Sequence, residues 1–245
     1  MVEVAVVTGA SRGIGAAVAR LLGSHGYRVC VNYRAGREAA DAVAADIVQA
    51  GGEALAVQAD VADRDAVRRL FETVDDQLGP LTALVNNAGI HGPRGRVDAL
   101  GLDALEEVLA VNVVGLVACS QEAVRRMSTR YQGSGGAIVN ISSGAAYIGG
   151  AGDGVHYAVS KGAVNSFTIG LSQEVAGEGI RVNAVSPGLT RTDMPDPAAL
   201  ERGPSIIPMG RVGDAEEIAE AVLWLLSDRA SFVAGANIRV AGGRP

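Results

Sequence analysis

Short apolar runs rich in β-branched residues alternate along the chain with longer stretches of helical periodicity, and this alternation restricts the possible folds more than any other feature. The predicted strands are Val2–Val7, Arg28–Tyr33, Ala54–Gln58, Ala83–Asn86, Ala137–Ile141, Arg181–Ser186 and Asn237–Val240. The predicted helices include Ile14–Ser24, Glu38–Ala50, Arg64–Leu78, Leu102–Arg130, Val155–Glu174 and Ala215–Leu226. Several strands are apolar at nearly every position, as expected where helices cover both faces of a parallel sheet. The pattern therefore predicts an α/β fold, with a Rossmann-type doubly wound parallel sheet of about seven strands.

The length of 245 residues favours a single domain, residues 1–245, with a large buried core. A net charge of −6 argues against nucleic acid as a partner, because such binders carry a concentrated basic excess. Cys30 and Cys119 lie in apolar runs without metal-ligand spacing, so we expect buried free thiols and no metal site. The apolar run Val2–Val7 is too short for a signal peptide or a membrane span, which predicts a cytoplasmic protein that does not bind membranes.

A glycine-rich segment, Thr8–Gly15, follows the first predicted strand and opens the first predicted helix. Glycine permits a tight turn and lets backbone N–H groups approach a pyrophosphate at the positive end of the helix. Ligands of doubly wound sheets bind at the carboxyl ends of the strands, which is where this segment lies. Its position predicts dinucleotide binding by Gly9, Ser11, Arg12, Gly13, Ile14 and Gly15.

The end of the second predicted strand bears on the choice of dinucleotide. An NAD site usually has an acidic residue about 20 residues further along, which binds the ribose 2′-OH. Here the strand ends with Asn32, Tyr33 and Arg34, the predicted contacts to this end of the cofactor, and no acidic residue lies between the glycine-rich segment and Glu38. Asn32 removes the repulsion that a carboxylate would exert on a 2′-phosphate, and Arg12 and Arg34 are suited to pair with it. We therefore predict NADP(H) rather than NAD(H); the alternative is that both arginines are solvated surface charges.

Tyr157 and Lys161 lie four residues apart at the start of a predicted helix, so they share one helix face. A free tyrosine has a pKa of about 10, which is too high for efficient proton transfer near neutrality. A neighbouring ammonium stabilises the phenolate and lowers that pKa, which suits Tyr157 to act as a general acid or base. Lys161 is also the single lysine beside 20 arginines, and arginine cannot replace a compact, orientable ammonium.

With these residues the chain resembles the short-chain dehydrogenase/reductase family in its single-domain form, over Val4 to about Gly243. The resemblance rests on ordered motifs at matching separations, which are Thr8-Gly9-x-x-x-Gly13-x-Gly15, Asp60-Val61, Asn86-Asn87-Ala88-Gly89, Asn112, Asn140-Ile141-Ser142-Ser143, Tyr157-x-x-x-Lys161, and Pro187-Gly188 with Thr192. The detailed set is similar to that of 3-oxoacyl-carrier-protein reductases and sugar dehydrogenases.

The resemblance implies a role for each matched residue. Tyr157 would donate a proton to the carbonyl oxygen in reduction and accept it in oxidation, while Lys161 would hold the nicotinamide ribose and tune Tyr157. Asn112 would bind a water that links Lys161 to solvent. Asp60 and Val61 would contact adenine, and the turn Asn86–Gly89 would pack its backbone against the adenosine half of the cofactor. The loop Pro187–Thr192 would cover the nicotinamide. These implied cofactor contacts are Asp60, Val61, Asn87, Ala88, Gly89, Tyr157, Lys161, Pro187, Gly188, Thr190 and Thr192.

The resemblance places the catalytic serine less directly. The family's serine commonly stands 13 residues before the tyrosine, a position that Gly144 occupies here. Alignment of the Asn-Ile-Ser-Ser run instead makes Ser143 the residue that hydrogen-bonds the substrate oxygen, with one extra residue in the following loop. Ser142 is the alternative.

Possible partners are predicted from the long helices. Arg125, Arg126 and Arg130 form a basic patch that would dock an acyl carrier protein; the alternative, which we favour, is ordinary solvated arginines. The resemblance makes Leu102–Met127 and Val155–Val175 the usual dimer-forming helices, which implies a homotetramer.

The histidines are predicted to lie outside the catalytic machinery. His91 follows the Asn-Asn-Ala-Gly turn and either lines the substrate mouth or, as we favour, lies on the surface. His156 adjoins Tyr157 but is expected to point from a different helix face.

The combined prediction is an NADP(H)-dependent oxidoreductase that transfers a hydride between nicotinamide and a carbonyl or secondary alcohol carbon of a small-molecule substrate. Narrower alternatives are a 3-oxoacyl-carrier-protein reductase and a sugar or polyol dehydrogenase. A non-enzymatic NADP-sensing protein is disfavoured, because Tyr157, Lys161, Ser143 and Asn112 are all present. Substrate choice is expected to depend on two predicted loops, Gly144–His156 and Leu189–Arg211, whose shape the sequence does not fix.

Overall fold

Seven parallel strands form one sheet in the computed structural model, which describes residues 2–244. The strands are β1 (Val4–Val7), β2 (Arg28–Tyr33), β3 (Glu53–Gln58), β4 (Ala83–Asn86), β5 (Gly136–Ile141), β6 (Ile180–Pro187) and β7 (Asn237–Val240). Their order across the sheet is β3-β2-β1-β4-β5-β6-β7, so the direction of winding reverses between β1 and β4. The predicted Rossmann-type doubly wound sheet is confirmed.

The strands are connected mainly by helices. These are α1 (Gly13–Ser24), α2 (Arg37–Gln49), α3 (Arg64–Gln77), α4 (Leu102–Leu109), α5 (Leu116–Met127), α6 (Ala145–Ile148), α7 (Val155–Val175), α8 (Pro197–Ile206) and α9 (Ala215–Leu226). A π-helical segment, Ala110–Gly115, joins α4 to α5, and short 3-10 turns occupy Val97–Ala99, Thr129–Tyr131, Ala176–Glu178 and Asp228–Ala230. Between residues 2 and 244, none of the helices has both the length and the apolar composition needed to cross a lipid bilayer.

The core consists of two hydrophobic layers, one on each face of the sheet, because successive side chains of a strand point to opposite faces. In β1, Ala5 and Val7 belong to the layer that contains side chains of α1, α2 and α9, whereas Val4 and Val6 belong to the layer with α3 and α5. Burial on both faces explains why the strands are apolar at nearly every position. Cys30 and Cys119 are buried free thiols, as predicted, and burial raises the pKa of each to about 12.

The predicted helix Leu102–Arg130 is not continuous. The π-helical segment interrupts it, and α5 ends at Met127 because Ser128 adopts an extended backbone with φ −65° and ψ 134°. The π-helical segment contains Asn112, whose side-chain amide pairs with both backbone groups of Ile90, at 2.8 and 2.9 Å. A single-turn π segment often marks a functional site, and here it holds Asn112 against the chain that leaves β4.

The segment Leu189–Arg211, which was expected to be a loop, contains the helix α8. Asp196 caps this helix by accepting a hydrogen bond from the Ala198 N–H at 2.8 Å, and Pro197 occupies the first helical position. An acidic residue followed by proline is a recognised start signal, so this helix was predictable from the sequence. The strand boundaries shift by one or two residues, most visibly in β1, which begins at Val4 rather than Val2.

Candidate active site

A groove of about 560 Å³ opens at the carboxyl ends of the strands, where the winding of the sheet reverses. Many of the predicted cofactor contacts line it together. These are Gly9, Ser11, Arg12, Gly13, Ile14, Asn32, Arg34, Asp60, Val61, Asn87, Ala88, Gly89 and Thr192. The groove is also lined by residues that were not predicted from the sequence, which include Ile90, Val111, Asp193 and Met194.

The glycine loop forms one wall of the groove and has the shape of a phosphate cradle. Gly9 and Gly13 both have positive φ, +61° and +55°, and a Cβ atom at position 9 would lie 2.9 Å from the Cα of Ala88. The first turn of α1 has no capping side chain and no acidic residue, so its N–H groups remain available to an anion. These features fit the pyrophosphate of a dinucleotide.

Gly15 is buried and closely packed, and it is not among the residues that line the groove. A Cβ atom there would lie 2.4 Å from Nδ2 of Asn87 and 2.5 Å from the carbonyl oxygen of Gly9. The Asn87 amide occupies this space and donates to the carbonyl oxygens of Thr8 and Gly9 at 2.8 and 3.0 Å. The hydroxyl of Thr8 in turn accepts from the N–H groups of Asn87 and Ala88, both at 3.0 Å. Thr8 and Asn87 therefore fix the shape of the cradle through side chains, whereas only backbone packing was expected of Asn87.

The end of β2 contributes differently from the prediction. The Asn32 side chain is buried, accepts from the Gly9 N–H at 3.2 Å and donates to the Ala59 carbonyl at 3.1 Å, so it ties the glycine loop to the residues after β3. Tyr33 was predicted to contact the cofactor, but its side chain is only 2% exposed and packs in the hydrophobic layer of α1 and α2. Alternation along the strand turns Tyr33 into the core.

Two exposed arginines border the groove. The Arg12 guanidinium lies 3.4 Å from the Asp193 carboxylate, and that of Arg34 lies 4.0 Å from the Asp60 carboxylate. Exposed ion pairs of this kind contribute little stability, so both guanidinium groups can reorient toward a more highly charged anion.

The predicted nicotinamide loop divides into buried and groove-facing residues. Gly188 packs against Ala241, since a Cβ atom at position 188 would lie 2.7 Å from its Cα. Thr190 is buried and donates to the Gly188 carbonyl at 3.1 Å, and Pro187 ends β6. These three residues form the base of the loop, whereas Thr192 reaches the groove and lies within 3.3 Å of where a Cβ on Gly13 would be.

Tyr157 and Ser143 meet where the groove ends. Tyr157 lies in the first turn of α7, and Ser143 follows β5. Burial raises the pKa of Tyr157, and the nearby side chain of Ser143 acts against that rise. The Tyr157 hydroxyl lies 4.0 Å from the sulfur of Met194, a residue of the groove lining.

Lys161 lies one helical turn further along, with its side chain buried. Its ammonium donates to the Ile141 carbonyl at 2.7 Å and lies 5.7 Å from the centre of the Tyr157 ring. Burial lowers the pKa of Lys161 to about 8. Loss of solvation is the largest influence on the pKa of the Tyr157 phenol.

Asn112 joins this cluster from the π-helical segment. Besides its two bonds with Ile90, its amide donates to the Ser160 hydroxyl at 3.0 Å. A Cβ atom on Gly89 would lie 3.3 Å from Oδ1 of Asn112 and 3.5 Å from Nζ of Lys161. Gly89 lines the groove, so the predicted catalytic and cofactor-binding residues adjoin one another.

The two candidate serines have different surroundings. The Ser142 hydroxyl is buried and donates to Oδ1 of Asn165 at 2.6 Å, with the Lys161 carbonyl also within 3.2 Å. Ser142 therefore secures α7 against β5, whereas Ser143 faces Tyr157. This geometry favours Ser143 over Ser142 as the residue that contacts substrate.

His91 does not lie on the surface, and that expectation was wrong. Its side chain is 14% exposed and stacks on Tyr157, with ring centres 4.8 Å apart. His156 is buried, and its Nε2 lies 2.9 Å from the His91 carbonyl. Neither histidine was linked to Tyr157 by the sequence, because the contacts depend on loop shape.

The basic patch is largely neutralised within the molecule. Arg126 is 17% exposed, pairs with Asp75 at 2.7 Å and with Glu122 at 2.5 Å, and lies over the ring of Phe71. Arg125 also pairs with Glu122, at 2.7 Å. Arg126 is therefore part of the helix packing rather than a solvated arginine. Across residues 2–244, no three His, Cys, Asp or Glu side chains come together in a way that could hold a metal ion.

Comparison with known proteins identifies the family. A sequence profile described as enoyl-(acyl carrier protein) reductase matches residues 9–244. The uncharacterized oxidoreductase YgfF of Escherichia coli K12 is 49% identical over 245 residues, which cover 98% of this chain and 99% of the relative. A 3-oxoacyl-(acyl-carrier-protein) reductase of Synechocystis is 39% identical over 242 residues, 98% of this chain and 96% of the relative. The crystal structure of a short chain dehydrogenase from Burkholderia cenocepacia in complex with NADP has a TM-score of 0.92 at 37% identity, and covers 98% of this chain and 97% of that one.

The fold, the groove and these relatives define an oxidoreductase that binds a nicotinamide cofactor. The chain belongs to the short-chain dehydrogenase/reductase family.

Proposed function

We propose that the protein transfers a hydride between NADP(H) and a carbonyl or secondary alcohol carbon, with Tyr157 as the general acid in reduction and the general base in oxidation. The observation that carries this proposal is the meeting of Tyr157, Ser143 and Lys161 at the end of the glycine-lined groove. A panel of ketones, β-ketoacyl thioesters and sugars, followed by NADPH absorbance at fixed pH, tests it. Failure of every carbonyl class to oxidise NADPH would contradict it.

The proposed chemistry assigns one task to each side chain. The Ser143 hydroxyl and the Tyr157 phenol hold the substrate oxygen, where negative charge develops during reduction. The bound nicotinamide supplies the hydride. Tyr157 then gives its proton to that oxygen, and the buried ammonium of Lys161 favours the phenolate that remains. Asn112 positions the turn after β4 against α7, next to Lys161.

Ser143→Ala is expected to lower kcat by roughly 10²-fold, because it removes a donor to the developing oxyanion. Ser142→Ala is the matched control, since it deletes the neighbouring hydroxyl but leaves the Tyr157 contact. It is expected to lower the free energy of unfolding by about 0.5–1.5 kcal/mol instead, because it removes one buried hydrogen bond to Oδ1 of Asn165, which still accepts from the Asn237 amide. Steady-state kinetics and urea unfolding measure the two effects, and equal kinetic losses would contradict the assignment.

The choice of NADP(H) is supported by Arg12 and Arg34, which border the groove, and by the NADP complex of the Burkholderia relative. Arg12→Ala and Arg34→Ala are each expected to weaken NADPH binding about tenfold and to leave NADH binding unchanged, because each removes one partner of the 2′-phosphate. Arg37→Ala, which removes a nearby exposed guanidinium outside the groove lining, is the control. Fluorescence titration provides the affinities. Equal wild-type affinities for NADPH and NADH would remove the role given to these arginines.

A second candidate is the reduction of 3-oxoacyl thioesters, which the Synechocystis relative's name favours. A carrier protein would dock through Arg125 and Arg130, the exposed members of the basic patch, since Arg126 is engaged in internal ion pairs. Turnover of the thioesters rather than the sugars of the panel would favour this candidate, and the reverse would favour a sugar or polyol dehydrogenase. We also propose a homotetramer, supported by exposed apolar side chains at Val114, Val159 and Ile169 on the predicted interface helices.

A further inference from the structure

The imidazole of His91 lies nearly flat against the ring of Tyr157. Their centres are 4.8 Å apart and their planes differ by 29°. Offset stacking of two flat rings restricts the rotation of each. His91 comes from the loop after β4 and Tyr157 from α7, so this contact links two separate elements beside the proposed catalytic proton.

His91 is itself held on several sides. Its Nε2 lies 3.5 Å from a carboxylate oxygen of Asp153, and its carbonyl oxygen lies 2.9 Å from Nε2 of His156. Gly154 leaves the space that the imidazole fills, because a Cβ atom there would lie 2.6 Å from Cε1 of His91. A side chain at position 154 would therefore displace the ring.

Arg94 connects this arrangement to a third segment. Its guanidinium pairs with Asp153 and also donates to the Met194 carbonyl at 3.1 Å. The sulfur of Met194 is the atom that lies 4.0 Å from the Tyr157 hydroxyl. The loop after β4, the loop before α7 and the segment after β6 are thus joined by Arg94 and Asp153 around the phenol.

The charged and titratable groups that face His91 are Asp153, Arg94, His156 and Tyr157. Burial is the largest cause that lowers the pKa of His91, and the hydrogen bond to the Gly92 carbonyl and the attraction of Asp153 only partly oppose it. At neutral pH the imidazole is therefore mainly neutral. It contacts the phenol as a flat ring rather than as a cation.

We propose that His91 is a positioning residue for Tyr157, and that Asp153 and Arg94 keep His91 in place. The stacked imidazole fixes the plane of the phenol ring, directs its hydroxyl toward the substrate oxygen and keeps solvent from one face of the ring. This inference rests on the proposed function, since it requires Tyr157 to be the proton donor. The chemistry of the site does not need His91 to exchange a proton.

The test compares His91→Ala with His91→Phe. His91→Ala is expected to lower kcat roughly 3- to 10-fold at unchanged NADPH affinity, because an aromatic pair is lost. His91→Phe is expected to restore most of kcat, since it keeps a flat ring on Tyr157. His25→Ala, which removes an exposed histidine remote from the site, is the matched control and is expected to have no effect.

A pH profile separates positioning from general loss of structure. Because burial raises the pKa of Tyr157, opening one face of its ring to water lowers that pKa. The alkaline limb of the kcat profile for reduction is therefore expected to move to lower pH in His91→Ala and to stay in place in His91→Phe. Tyrosinate absorbance, taken as the difference between each variant and the same variant carrying Tyr157→Phe, follows the same pKa without turnover.

The outcomes discriminate between the two proposals. An unchanged kcat and pH profile in His91→Ala would overturn the positioning role, as would equal impairment of His91→Ala and His91→Phe. Full activity of Tyr157→Phe would instead overturn the proposed function, whatever His91 does. Far-ultraviolet circular dichroism of each variant verifies that it is folded, and His91→Phe keeps the test decisive if His91→Ala does not fold.

Discussion

Tyr157→Phe is expected to lower turnover by about 10²- to 10⁴-fold while leaving NADPH affinity nearly intact, because it removes the proposed acid and keeps the ring. The phenylalanine can still stack on His91. The substitution does not alter the glycine loop or its hydrogen bond with Asn87, so the proposed cofactor contacts there are kept. The measurement is kcat from NADPH absorbance, with NADPH affinity from fluorescence titration of the same preparation. The loss is expected in both reaction directions, since one group gives and takes the proton.

Tyr131→Phe is the control for this substitution, because Tyr131 is exposed, lies outside the groove lining and loses the same hydroxyl. Its turnover is expected to equal that of the wild type. If Tyr157→Phe retained turnover as well, Tyr157 would not be the acid.

Lys161→Met is expected to abolish most turnover and yet to remove an unfavourable contribution to the free energy of folding. The structure buries this ammonium and lowers its pKa from 10.5 to about 8, so the charged form is less stable in the folded protein than in the unfolded chain. Methionine has a similar length and carries no charge to desolvate. Activity and stability are therefore expected to respond in different ways to one substitution.

The pH dependence of this cost has a definite sign. Below about pH 8, Lys161 is protonated in both states and the wild type carries the full penalty. As the pH rises toward 10.5, the folded protein releases this proton first while the unfolded chain keeps it, so the stability of the wild type rises relative to Lys161→Met. The expected relative gain is about 2 to 3 kcal/mol between about pH 7 and pH 10.

Urea unfolding of both proteins across that pH range measures the difference. Ionisations of other groups, such as Cys30 and Cys119, are common to the two proteins and cancel. A difference in unfolding free energy that does not vary with pH would show that the ammonium is not desolvated. Lys161→Arg adds a second comparison, because it keeps the charge but not the compact shape, and it is also expected to be inactive.

The features that were predictable from the sequence depend on spacing along one element. The alternation of strands and helices determines the sheet, and the separation of Tyr157 and Lys161 determines their shared helix face. The glycine loop is recognisable because it lies between β1 and α1. These relations are local, so a pattern of residue types is enough to reveal them.

The features that were missed depend on contacts between elements. The stacking of His91 on Tyr157 requires the loop after β4 to place His91 against α7, and nothing in the composition of that loop specifies its shape. Tyr33 was assigned to the cofactor because it follows Asn32, but the strand turns its side chain into the core. Arg126 was grouped with two neighbouring arginines, although its partner Asp75 comes from α3.

The side chains of Thr8 and Asn87 hold the glycine loop in its final form through four hydrogen bonds, and this has a thermodynamic consequence. Because the loop is ordered by folding itself, association with a dinucleotide needs little further loss of backbone entropy. Preorganisation of this kind lets a short, glycine-rich stretch, which would otherwise be among the most mobile parts of a chain, give tight binding. We therefore expect affinity for the nucleotide to depend partly on hydrogen bonds within the protein.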